Sequence, residues 1–130
     1  MNSLLIVDDD VEVLDLLKKF FVQHGYRVEV ATDGASLWAA IERQPPDLII
    51  LDVMLPDING KEVCHRVRAD STLEEVRILC ISGMIEEDKI QELRLAGADD
   101  FLSKPFEIED LIDRMCQLMD IESTSTTGAR

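Results

Sequence analysis

The stretch that most constrains this chain is Asp47-Leu48-Ile49-Ile50-Leu51-Asp52-Val53-Met54-Leu55-Pro56. Four consecutive apolar residues stand between Pro45-Pro46 and Pro56-Asp57, so the run is too short for an ordinary helix. An uninterrupted apolar run of this length reads as a central strand of a parallel sheet, buried on both faces. It ends on a carboxylate, Asp52. In open parallel sheets, ligands and chemistry gather outside the carboxyl ends of the strands, which makes Asp52 the first candidate functional residue.

The rest of the chain repeats the theme. Ser3 to Val7 is a short apolar run followed by Asp8-Asp9-Asp10. Val11, Leu14, Leu17 and Phe21 then recur at helical spacing, with Val13, Leu16 and Phe20 widening the stripe. Gly25 stands where a helix commonly ends in the left-handed conformation. The remaining pattern predicts strands over Tyr26–Val30, Val76–Ile81 and Asp100–Leu102. It predicts helices over Ala35–Arg43, Lys61–Ala69, Glu86–Ala96 and from Ile108 onward. Strands alternating with helices imply right-handed βαβ units and a parallel sheet covered on both faces. The polar segment 122–130 lacks periodicity and reads as a disordered tail or the start of a linker after a single domain over residues 1–121.

With 130 residues, the chain is long enough for one good core. Its net charge of −14 comes from 13 Lys and Arg against 27 Asp and Glu. No basic cluster is present, which argues against direct nucleic-acid binding. No apolar stretch is long enough to cross a bilayer, and Met1-Asn2-Ser3 lacks the basic start of a signal peptide, so a cytoplasmic protein is expected. Cys64, Cys80 and Cys116 are widely spaced in apolar patterns and are expected to be reduced, packed thiols rather than a zinc or dithiol site.

Asp8 and Asp9 follow the first strand, Asp52 ends the third, Ser82 ends the fourth and Lys104 follows the fifth. If these strands are neighbours, three carboxylates and one ammonium converge. Two carboxylates about 4 Å apart at an effective dielectric near 20 repel by roughly 4 kcal/mol. A bound Mg²⁺ or Mn²⁺ relieves that, and these ions use few carboxylates and keep positions open for phosphate. A carboxylate beside such an ion and a lysine is a competent nucleophile toward phosphorus. The hydroxyl of Ser82 can donate a hydrogen bond to a phosphoryl oxygen. A plainer assignment stays open for the acidic run: Asp9 as a helix N-cap with Glu12 three residues on.

These motifs resemble the receiver domains of bacterial two-component response regulators. The matching segments are Leu5-Ile6-Val7-Asp8-Asp9-Asp10, Pro46 to Asp57 with Gly60, Cys80-Ile81-Ser82-Gly83, and Gly97 to Phe106. The resemblance implies a flavodoxin-like (βα)5 α/β sandwich with strand order 2-1-3-4-5. It implies Asp52 as phosphoacceptor, and Mg²⁺ held by Asp8, Asp9, Asp52 and the backbone carbonyl of Met54. Ser82 and Lys104 are then the groups that meet the phosphoryl oxygens, and Lys104-Pro105 is a cis peptide. Phe101 takes the aromatic switch position and is expected to turn inward on phosphorylation. The implied donor is a sensor histidine kinase or a histidine phosphotransfer protein. The implied output is a downstream effector or a fused domain, with possible homodimerisation through the face of the fourth helix, fifth strand and fifth helix. Such a domain is not a turnover enzyme; it catalyses only its own phosphorylation and dephosphorylation. The alternative is a pseudo-receiver, the same fold working as a phosphorylation-independent interaction module.

Overall fold

The computed structural model describes residues 2–55, 57–83 and 86–120, without the side chain of Asp120. Five strands alternate with five helices: β1 (Ser3–Val7), α1 (Val11–Gln23), β2 (Arg27–Ala31), α2 (Gly34–Arg43), β3 (Leu48–Asp52), α3 (Gly60–Ala69), β4 (Arg77–Ser82), α4 (Glu87–Ala96), β5 (Asp100–Ser103) and α5 (Ile108–Asp120). A single 3-10 turn, Ser71–Leu73, separates α3 from β4. All pairings are parallel and the order is β2-β1-β3-β4-β5. This is the doubly wound α/β sandwich expected from the alternation. The segment 122–130 and Pro56 lie outside the described residues.

Successive strand side chains point to opposite faces, so each interior strand feeds two cores. Leu4, Ile6, Leu48, Ile50, Leu79 and Ile81 pack with Leu14, Leu17 and Phe21 of α1 and Leu111 and Met115 of α5. Leu5, Val7, Ile49, Leu51, Ile78 and Cys80 pack with Leu37 of α2, Val63 and Val67 of α3, and Leu93 of α4. That double demand is why β1 and β3 carry unbroken apolar runs, Leu4 to Val7 and Leu48 to Leu51, and are buried at every position. Strand β2 lies at an edge, and only Ala31 in it is buried.

Two details differ from the periodicity. Val11 and Leu16 are exposed although they belong to the apolar stripe of α1. The buried set Leu14, Leu17 and Phe21 follows the spacing of three and four that one helix face allows, and Val11 sits in the first turn. Cys116 is exposed, whereas Cys64 and Cys80 are buried and free. Its neighbour Met115 takes the inward position on α5.

The topology fixes where chemistry gathers. The chain passes from β1 outward to β2, then returns across β1 to β3. The crevice at that reversal opens above the carboxyl ends of β1 and β3, the place where such sheets bind ligands.

Candidate functional site

Three consecutive aspartates leave β1 and have three different surroundings. Asp8 is buried, and its Oδ1 accepts the Asp10 amide at 3.0 Å. Asp9 is exposed. Asp10 is the N-cap of α1: its Oδ1 accepts the amides of Glu12 at 3.0 Å and Val13 at 3.3 Å. The cap therefore falls to Asp10 rather than to Asp9, because the helix begins at Val11. The carboxylates of Asp8 and Asp9 are left for the crevice.

Asp52 is the last residue of β3 and is buried. Its Oδ1 accepts the Met54 amide at 2.8 Å, so the turn after β3 orients the carboxylate. Oxygens of Asp8, Asp9 and Asp52 all lie within 4.8 Å of one another; among the described residues this is the group with metal-holding geometry. Lys104 bridges two of the three: its Nζ donates to Asp8 Oδ2 and to Asp52 Oδ2, each at 2.9 Å. Burial pulls the ammonium's pKa down, but the hydrogen bonds and charges of Asp52 and Asp8 outweigh it, and the net shift is upward. Lys104 is therefore a fixed positive charge at physiological pH.

Ser82 is fully buried at the end of β4, and its backbone carbonyl accepts the Lys104 amide at 2.8 Å. That bond joins the tip of β4 to the turn after β5. The Lys104-Pro105 peptide is cis, as the resemblance implied. Met54 exposes its side chain at the rim and reaches Asp52 through its amide. Phe101 is already buried, in contact with the α4 side of the core, rather than turned out toward solvent.

The site thus collects Asp8, Asp9, Asp52, Ser82 and Lys104 at the carboxyl ends of four adjacent strands. Its formal charge is three negatives against one positive, and backbone amides hold the carboxylates of Asp8 and Asp52. Oxygen donors at this separation suit a hard divalent cation, and the leftover negative charge favours one. Sequence reasoning missed three contributors. Asp10 spares its two neighbours, Met54 orients Asp52 through its amide, and Arg94 lies over the Phe101 ring. The first was accessible from the spacing of Asp10 to Val13; the second is a bond between residues two apart in one turn, and the third depends on packing of α4 against β5.

Comparison with known proteins agrees with this geometry. The family described as response regulator receiver domain matches residues 4–116, so this chain belongs to that family. The DNA-binding dual master transcriptional regulator RpaA of Synechocystis is 38% identical over 120 residues, covering 92% of this chain and 49% of RpaA. Response regulator MprA of Mycobacterium is 40% identical over 119 residues, covering 89% of this chain and 50% of MprA. The chain thus spans about half the length of these curated relatives. Among solved structures, chemotaxis protein CheY4 of Vibrio cholerae superposes with a TM-score of 0.84 at 31% identity, covering 91% of this chain and 98% of CheY4. A CheY-like receiver domain from Methanospirillum hungatei reaches 0.87 at 27% identity, covering 96% and 98%.

Proposed function

We propose that this receiver domain accepts a phosphoryl group on Asp52 from a phosphohistidine partner and changes conformation in response. The observation that carries the reading is the convergence of Asp8, Asp9 and Asp52 oxygens within 4.8 Å, bridged by Lys104. A carboxylate oxygen of Asp52 attacks phosphorus, the N–P bond of the donor breaks, and the imidazole leaves. The residues disposed to hold Mg²⁺, or Mn²⁺, are Asp8, Asp9, Asp52 and the backbone carbonyl of Met54. When bound, the ion neutralises charge on the phosphoryl oxygens. Lys104 remains charged through the reaction and follows the transferred oxygens. Ser82 supplies a hydroxyl donor from the tip of β4. The phosphoryl group carries close to two negative charges where the free Asp52 carboxylate carried one, and it brings three acceptor oxygens, enough to bias a two-state element by a few kcal/mol, a typical coupling scale.

The implied donor is a sensor histidine kinase or a histidine phosphotransfer protein. The output acts through a downstream effector or a further domain of the same chain, as the double length of the curated relatives suggests. RpaA is described as DNA-binding; here that role would fall to a fused output domain, since this chain carries a net charge of −14. Dimerisation would use the face of α4, β5 and α5. No helix among the described residues is long and apolar enough to cross a membrane, and the reading assigns the domain to the cytoplasm. The domain performs its own phosphorylation and dephosphorylation and turns over no separate substrate.

The test is incubation with Mg²⁺ and acetyl phosphate, followed by intact-mass measurement, with Asp52→Asn in parallel. The expected result is a mass gain of one phosphoryl group in the natural protein and at least about 100-fold less in the variant, the scale for losing a nucleophile. Equal labelling of both would overturn the assignment of Asp52. No labelling and no Mg²⁺ binding in either would leave the pseudo-receiver reading.

A further inference from the structure

Phe101 is the second residue of β5, and its side chain belongs to the core that also holds Leu93 and Ala96 of α4. A phenyl ring has no hydroxyl with which to anchor itself to a neighbouring element. Two arginines hold this residue from opposite helices. Arg94, in the last turn of α4, places its guanidinium carbon 5.1 Å from the ring centroid, inside the range of a cation–π contact. Arg114, from α5, donates to the Phe101 carbonyl at 2.7 Å and to Asp100 Oδ1 at 3.0 Å. The α5 arginine thus fixes the backbone, and the α4 arginine covers the ring.

The position of this ring is joined to the site. Phe101 pairs with Cys80 across the β4–β5 ladder, two residues before Ser82. Three residues beyond Phe101, the Lys104 amide bonds to the Ser82 carbonyl. Movement of the ring therefore has a short path to both groups disposed toward the phosphoryl oxygens. Movement of Arg94 has an equally short path to the exposed surface of α4.

We propose that Arg94 is a positioning residue for Phe101, its guanidinium holding the ring inward so that β5 and α4 are coupled through a cation–π contact instead of a hydroxyl hydrogen bond. The proposal rests on reading the domain as a phosphorylation switch. It assigns to Arg94 a share of the balance between ring-in and ring-out states, and it makes ring-in the state that favours the phosphorylated form. A neutral side chain of similar length at position 94 loses the contact, and lysine, which keeps the charge, retains part of it.

The experiment uses the whole chain with carbon-13-labelled phenylalanine, whose four rings, Phe20, Phe21, Phe101 and Phe106, give separable aromatic signals. Without any phosphoryl analogue, Arg94→Gln is expected to shift or broaden the Phe101 signals and leave the Phe20 and Phe21 signals in place, with Arg94→Lys intermediate. With Mg²⁺, Arg94→Gln is expected to weaken beryllofluoride affinity by about two- to five-fold, the effect of an exposed cation–π contact. Phe101 signals that ignore Arg94→Gln overturn the proposal. So does a ring response with unchanged beryllofluoride affinity, because the arginine is then only packing. If the natural protein itself fails to bind beryllofluoride, the phosphoacceptor reading falls, and the ring signals alone decide whether Arg94 positions Phe101.

Discussion

The two ends of the sheet use the same chemistry to opposite effect. At the amino end, Arg68 of α3 donates to the Gly97 carbonyl at 3.0 Å, the Val76 carbonyl at 2.7 Å and Asp99 Oδ2 at 2.7 Å. Asp99 Oδ2 also accepts the Ile78 amide at 2.7 Å. One cation meets one anion, and the backbone takes up the remaining bonds, so α3, β4, α4 and β5 are fastened together. Gly97 completes the fit: its φ of +122° suits glycine, and a Cβ there would run into Arg68 Cγ. At the carboxyl end, three carboxylates gather where one lysine bonds only Asp8 and Asp52. The difference separates a staple from a site. Charges that balance and exhaust their hydrogen bonds hold the fold, whereas an excess of one sign, fixed by the backbone and left facing a crevice, is a place for something else to bind.

That contrast predicts stability effects of opposite sign. Arg68→Ala should destabilise the domain by about 2–4 kcal/mol, because it leaves two carbonyls and a carboxylate short of a charged partner. Urea unfolding checks this, and a change below 0.5 kcal/mol would mean the staple is only a surface feature. Mg²⁺ should act at the other end alone. At ten times its dissociation constant it should stabilise the natural protein by about 1.4 kcal/mol, and Asp8→Asn should abolish most of that gain in a melting titration. Without metal, Asp9→Asn should raise stability by about 1 kcal/mol or less, as expected for removing one of three like charges some 5 Å apart in a water-like dielectric. A loss of stability would show that Asp9 has a structural partner.

The last effect is a pH dependence. Folding raises the Lys104 pKa, so the ion pairs it makes contribute fully below the ordinary lysine range and are lost as pH rises through the folded value. Lys104 should therefore give stability no pH dependence near neutrality and should make it fall on the alkaline side. Lys104→Met should lack that alkaline decline. An identical decline in both proteins would assign it to other groups.

Much of this architecture is legible in the chain. Apolar runs of four or five residues between helical stripes mark β1, β3 and β4, and their ends carry Asp8, Asp52 and Ser82. A continuous run is a local signal, because an interior strand must satisfy a core on each face. The site residues were legible for the same reason: in a parallel sheet every strand ends on the same side, so a charged residue just after an apolar run is already placed. Where local pattern failed, the deciding fact lay in another element. Leu16 fits the stripe of α1 yet is exposed, because the sheet beneath covers only one arc of the helix. Cys116 reads as apolar yet faces outward beside the buried Met115. Asp9 and Asp10 are equal candidates for a helix cap until the first turn is seen to begin at Val11.

Arg68, Arg94 and Arg114 carry no signal of this kind. Each resembles any other solvated cation on its helix, and its partners lie 8 to 31 residues away for Arg68 and 13 or 14 for Arg114. The sequence alone determined the alternation of elements, the parallel sheet and the residues gathered at its carboxyl edge, since periodicity and strand polarity are properties of the chain itself. Only the tertiary structure decided which charges are paired off as fasteners and which remain in excess. That outcome depends on distances between elements that helix packing sets, and no spacing along the chain encodes them.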